Sequence, residues 1–390
     1  MRKALCAALA LSLLVLGACS APAPTDNSEK ATPETPAAPL PASDVMKDDD
    51  PAQTSGSFAF DSAPFQGKLT GCSYAQAGTL LVWADELYLY DTASGTVLAH
   101  CPAPAPMRDF GAAPFKDGIV LTVMGDAGTV AYIYDGELKL EETLALEELL
   151  SGDPVVDPGC VAASSDGNRL AIAGLSALYL YDRPAGQLTT LLDTAQGIGG
   201  SSCMATSLNG AAFTPDDDRV AFFGDGFSAE SGNGEDSAPV WGTIGIDGSE
   251  LELDWLESEG VEEMLRADGR LFFPPAISHV DGSLPWVDAA SGAAHRLAFS
   301  ASDEGGDGIY VSEQGKYVAT AELGDVLTVR VYAVDSGELL ATETIEVDDS
   351  RYVGRIPQVI LLDDAQAAIV LLGCGIEEID TAVATFSFGA

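Results

Sequence analysis

The chain has 390 residues, 60 of them acidic against 18 basic, for a formal net charge of −42. A surface this acidic repels phosphate backbones and anionic headgroups, which excludes nucleic acid as a partner. Seven cysteines without a CxxC pair, three histidines without an HExxH and the lack of a GxSxG elbow exclude zinc, redox and hydrolase motifs of those kinds.

Arg2 and Lys3 open the chain, and an apolar run follows from Ala4 to Leu16. That run is shorter than the about 20 residues a membrane-spanning helix needs. It reads as the apolar core of a signal peptide over residues 1–18. It ends in Leu16-Gly17-Ala18-Cys19, which resembles the lipobox of bacterial lipoproteins. The resemblance implies that the Cys19 thiol takes a diacylglycerol and becomes the mature N-terminus. The protein would then be extracytoplasmic, lipid-anchored in the cell membrane or the outer membrane. One acyl chain binds a bilayer only reversibly; the two or three that the family carries hold it firmly.

Residues 19–56 are rich in Ala, Pro, Ser, Thr and Asp and nearly free of large apolar side chains. Such a stretch cannot bury enough surface to offset chain entropy, so a disordered linker is expected. Its prolines favour an extended form, reaching up to roughly 100 Å at about 3 Å per residue.

Residues 57–390 alternate two hairpin signals. The first is a turn containing Gly or acidic residues, followed by a strongly apolar strand. It occurs at Gly78, Asp117-Gly118, Asp166-Gly167, Asp216 to Asp218, Asp268-Gly269, Gly315 and Asp363-Asp364. The spacing of roughly 40 to 50 residues is that of propeller blades. The second is a strand ending in Asp, a short turn with Gly, and another strand. LYLYD at Asp91 and again at Asp182 is the plainest form, with others at Asp135, Asp247, Asp288 and Asp335. Period-two alternation marks strands with unlike faces. Two hairpins per repeat give four antiparallel strands. Such sheets shield one another only when ranged around an axis. The expectation is an all-β fold, a seven-bladed β-propeller of four-stranded antiparallel blades. The seventh repeat lacks its outermost strand, and Ser57 to Asp61 (SFAFD) is expected to close the ring by pairing with the last strand.

These repeats, LYLYD with its following TASGTVL above all, resemble YVTN-type, WD-repeat-like and quinone-type propeller repeats. The lipobox followed by a ring resembles the layout of the outer-membrane-assembly propeller lipoprotein. Both resemblances speak to architecture rather than activity.

In a propeller, turns between the first and second and between the third and fourth strands share one face. Linkers between blades, and second-to-third connections, share the other. Two long segments fall on the latter, Phe227 to Pro239 and Asp193 to Asn209. Partner contacts are expected there, through Phe227, Glu230, Asn233, Glu235 and Asp236 of the first and Ser201 and Met204 of the second. Asp225, Glu230, Glu235 and Asp236 offer oxygens to calcium, but their spacing is not that of an EF-hand, so no metal is expected; nor is any cofactor. Cys160 and Cys203 are expected one blade apart and form a candidate disulfide; Cys72 with Cys101 or Cys374 is a second possibility. Trp241, Trp255 and Trp286 serve either blade packing or glycan contact. The functional expectation is a tethered propeller that binds a protein, peptide or glycan of the cell envelope. The alternatives are an envelope assembly scaffold and a lactonase- or lyase-like enzyme, the last requiring a polar cluster that converges on the central channel.

Overall fold

The computed structural model describes residues 60, 62, 64–76, 78–104, 109–125, 128–155, 157–194, 203–228, 237–256, 261, 263–274, 283–299, 308–324, 326–346, 357–374 and 381–389. Seven antiparallel sheets follow one another along the chain. Blade 1 contains β1 (Gly71–Tyr74), β2 (Thr79–Trp83), β3 (Glu86–Asp91) and β4 (Thr96–Pro102). Blade 2 contains β5 (Asp109–Phe115), β6 (Gly118–Gly125), β7 (Gly128–Asp135) and β8 (Leu140–Ala145), and is followed by a single helical turn, α1 (Leu146–Leu149). Blade 3 contains β9 (Val161–Ala163), β10 (Arg169–Ala173), β11 (Ala177–Asp182) and β12 (Gln187–Asp193). Blade 4 contains β13 (Cys203–Phe213), β14 (Arg219–Ser228), β15 (Ser237–Gly245) and β16 (Glu252–Trp255). Blade 5 contains β17 (Leu265–Ala267), β18 (Arg270–Phe272), β19 (Ser283–Asp288) and β20 (Ala294–Ala298). Blade 6 contains β21 (Gly308–Val311), β22 (Tyr317–Leu323), β23 (Val326–Ala333) and β24 (Leu339–Glu346). Blade 7 has three strands among the described residues: β25 (Gln358–Leu362), β26 (Ala367–Leu372) and β27 (Ala382–Ser387). The seven-bladed propeller expected from the repeats is the observed fold.

The recurring aspartate closes the turn after the third strand. Asp91 accepts the Ser94 N–H at 2.7 Å, Asp182 that of Ala185 at 3.0 Å, and Asp288 those of Ala290 (3.1 Å) and Ser291 (2.7 Å). The side chain thus replaces a backbone acceptor in the turn, as Asp does well. These bonds hold the Asp91 and Asp288 carboxyls below the usual aspartate range; at Asp91 the largest cause is the Ser94 N–H, at Asp288 the Ser291 hydroxyl. Gly95 and Gly186 then take φ of +67° and +61°, where a side chain would be strained. Where the sequence offers Asp216 to Asp218 instead of Asp-Gly, Asp217 itself takes φ of +56°.

Alternation along β2 shows how the ring is filled. Leu80 and Val82 join Tyr88 and Tyr90 in a cluster with Ile360, Leu362, Ile369 and Leu371 of blade 7. Leu81 and Trp83 face the other way, onto Ile119, Leu121 and Val123 of blade 2. Each blade is therefore buried on both faces, at about 1.5–3 kcal/mol per large side chain.

Where the last blade meets the first, side chains carry the closure. Gln358 of β25 gives its amide to both backbone groups of Cys72: Nε2 donates to the Cys72 carbonyl (2.6 Å), and Oε1 accepts the Cys72 N–H (3.2 Å). The Tyr74 hydroxyl accepts the Leu361 N–H at 3.0 Å. Its proton is shared between the carbonyls of Leu361 (3.0 Å) and of Val311 in blade 6 (3.2 Å). Phe60 and Phe65 pack on Tyr88 and Tyr90 in the same cluster. The rest of the segment expected to close the ring, 57–59 and 61, lies outside the described residues.

Candidate binding site

The seven inner strands surround a channel of about 1220 Å³. Its lining is uneven. Blades 2, 3 and 4 contribute small residues, including Gly111, Ala112, Ala162, Ala163, Ala211 and Ala212. The opposite wall is built from larger groups, among them Tyr74, Met264, Arg266, Glu313 and Gln358. Blade 2 also lines the channel with Phe110, Phe115 and Met124.

The two ends of the channel differ in charge. Inner strands run from the linker face towards the face of tight turns. Asp157 and Glu263, which precede β9 and β17, are therefore at the linker end. Lys116, Ser165, Arg266, Asp268 and Glu313 line the tight-turn end. Enclosure by the walls lowers the Arg266 guanidinium from its ordinary value, while Asp217 and Asp268 oppose that shift. Hydroxyls at this end tie blades together. Ser165 gives both its N–H (2.8 Å) and its hydroxyl to Asp217 of the next blade, and Ser312 donates to Asp363 at 2.7 Å. Among the described residues, no group of three or more His, Cys, Asp or Glu side chains is placed to hold a metal ion.

The expected partner segments are partly strand. β13 begins at Cys203 and β14 runs to Ser228, so Met204 and Phe227 are not loop residues. They are opposed in register, with Cys203 opposite Ser228 and Phe227 opposite Ser237 of β15. The three strands continue beyond β16, which pairs β15 only from Val240 to Thr243. Two register shifts in β13, between Ala205 and Ser207 and between Leu208 and Gly210, bend the extension. Gly224 permits it, since a Cβ there would lie 1.9 Å from the Ser207 carbonyl oxygen. Asp225, weighed as a calcium ligand, instead accepts from the Ser207 hydroxyl (3.0 Å) and the Asn209 amide (3.4 Å). Ser201, Glu230, Asn233, Glu235 and Asp236 lie outside the described residues, as does Cys19.

Trp286 is packed between the His295 ring (4.1 Å between centroids) and the Arg270 guanidinium (4.9 Å). Trp255 packs against the core shared by blades 2 to 4, and Trp241 against that of blades 4 and 5. His100 stacks on Tyr88 and meets Glu86 at 2.8 Å on the outer rim. The Cys160 thiol donates to the Asn209 carbonyl oxygen at 3.1 Å, which places it six residues along β13 from Cys203. At about 3.3 Å per residue that separation weighs against a Cys160–Cys203 bond, although the Cys203 side chain is outside the described residues. Cys72 and Cys101 lie on β1 and β4, with two strands between them; at about 4.8 Å per strand they are beyond disulfide reach.

A seven-bladed β-propeller is the class these features define. No family model matches the chain, and no curated protein matches it. Among solved structures, the β-propeller domain of Cps50 (Swd1) from Myceliophteria thermophila is similar over 82% of this chain and 96% of that one, with a TM-score of 0.52 and 11% identity. Hydrazine synthase from Kuenenia stuttgartiensis is similar over 80% and 93%, with a TM-score of 0.47 and 12% identity. At such identities the first likeness shows the fold alone.

Proposed function

We propose that the chain is an extracytoplasmic recognition module. Its ring binds a protein or peptide partner of the cell envelope on the linker face, and a lipid on Cys19 holds it at the membrane. The observation that carries this reading is the extension of β13, β14 and β15 past the end of β16. It gives the linker face a three-stranded platform beside the channel, where Leu256 donates its N–H to the Pro239 carbonyl just past the end of β16. A strand platform at the end of a rigid ring offers a partner both backbone and side-chain contacts. Loops and strand ends on a rigid ring are where recognition concentrates.

The test is photocrosslinking in native envelopes from positions 204 and 227, with position 339 on the outer strand β24 as the control. A partner captured from 204 and 227 and not from 339 supports the platform; capture from 339 alone refutes it. The anchor is tested separately. The wild type should partition into the detergent phase and Cys19→Ser into the aqueous phase. An identical distribution removes the lipid from the proposal.

A second reading, a channel that takes a small ligand, draws on the charged groups Lys116, Arg266 and Asp268 that line its tight-turn end. Arg266→Ala separates the two: it should leave capture at 204 and 227 unchanged.

A further inference from the structure

We infer that Cys72 and Cys374 are a disulfide pair that locks the junction of the first and last blades when the protein meets an oxidising disulfide pool. Both residues are thiols in the structure. They stand around one side chain. Gln358 holds the backbone N–H and carbonyl of Cys72, and its Oε1 also receives the Cys374 thiol at 3.8 Å. Cys374 packs against the apolar cluster that contains Cys72, Phe60, Phe65 and Ile360. It follows the end of β26, where Gly373 turns the chain at φ +74°. The thiol of Cys72 is pushed up from its ordinary value, first by burial and then by the nearby charge of Cys374. Cys101 lies three strands further out on blade 1, and Cys160 lies on the far side of blade 2.

The position is the one where a covalent tie has most to add. Six blades have four strands, and the seventh has three among the described residues. A bond from residue 72 to residue 374 would close a loop that spans almost the whole ring, and the constraint on the unfolded chain grows with loop length.

The chemistry is thiol–disulfide exchange with a small-molecule or protein disulfide. The Cys374 thiolate attacks one carrier sulfur, expelling the first carrier thiolate and forming a mixed disulfide. The Cys72 thiolate then attacks Cys374 Sγ, forms the new S–S bond and expels the second carrier thiolate. Two electrons pass to the carrier, and the two protons lost by the cysteines end on the two carrier thiols. Cys374, the more accessible sulfur, reacts first; the buried Cys72 follows most readily while the ring is still open.

The inference uses the proposed export only for its oxidising surroundings. The experiment takes the full chain in detergent, incubates it with oxidised glutathione, blocks thiols under denaturing conditions and maps the peptides. A peptide joining Cys72 to Cys374 is expected. Its reduction should lower the melting temperature by roughly 5 °C. Cys374→Ser should abolish that reduction-sensitive shift, and Cys101→Ser should keep it. Blocked thiols at both positions after oxidation would overturn the inference, as would a Cys374→Ser protein with an unchanged shift. The same map on protein taken directly from native envelopes separates the two readings. Thiols there, with the bond formed in glutathione, uphold the pairing and count against export.

Discussion

Two junctions of the ring are held by different means. Between blades 2 and 3, charges and turns do the tying. Arg183 reaches Glu142 at 3.0 Å and Glu141 at 3.1 Å, lies over the Phe115 ring at 6.0 Å, and donates to the Gly167 carbonyl of its own blade. The Lys116 N–H meets the Ser165 carbonyl at 2.9 Å. Between blades 7 and 1, two uncharged side chains, Gln358 and Tyr74, satisfy buried backbone groups directly, with aromatic rings stacked behind them. Neighbouring residues in a continuous chain find each other cheaply, so a partly exposed ion pair is enough at the first junction. The second joins residues nearly 300 positions apart (Cys72 and Gln358 differ by 286) and must offset a larger loop-closure entropy. It does so with bonds that are costly to leave unmade.

That contrast can be broken by substitution. Gln358→Ala should have the largest effect, a loss of about 2–4 kcal/mol in denaturant unfolding, because both backbone groups of Cys72 lose their partner. A loss within 0.5 kcal/mol would show that the closure lies elsewhere. Tyr74→Phe keeps the ring but strands Leu361 and Val311 backbone groups; about 1–3 kcal/mol should be lost. Arg183→Ala should cost only about 1 kcal/mol, since its carboxylate partners are partly exposed and screened. If Arg183→Ala proved the most damaging of the three, the ranking of the junctions would be inverted.

The smallest effect concerns pH and has opposite signs at the two places. Glu313, beside Gly78, Asp363 and Asp364, has its carboxyl raised above the usual 4.5, chiefly by burial. The folded state therefore holds that proton more tightly than the unfolded one. The associated stability is complete below about pH 4.5 and is lost as pH rises through the raised value. Asp166, in the blade 3 turn, is lowered from 3.8, first by the Asn168 N–H and then by the Ser164 hydroxyl. Its contribution is present above that pH and is lost on acidification. Glu313→Gln should raise the melting temperature slightly at pH 7 and flatten its decline with rising pH. Parallel curves for variant and wild type would remove Glu313 from the explanation.

The turns were legible because they are local. An aspartate three residues before the N–H it accepts, and a glycine at positive φ, leave a spaced mark in the sequence, and that mark counts out seven blades. Gln358 and Tyr74 leave none, since their partners are hundreds of residues away and neither belongs to the repeat. The platform on blade 4 was misjudged for a related reason. Gly- and Ser-rich stretches on both sides of Met204 and Phe227 signal loops, whereas the strand pairing that extends to those residues is set by the neighbouring strand, not by their own propensity.

One consequence follows from where the N-terminal chain enters the ring. Phe60 lies in the cluster between the last blade and the first, eleven residues ahead of Gly71, where β1 begins. Any pull transmitted along that chain loads the closing joint before any other part of the fold. The incoming chain and the closing joint share one apolar cluster, so tension on that chain would reach the circle at its own seam.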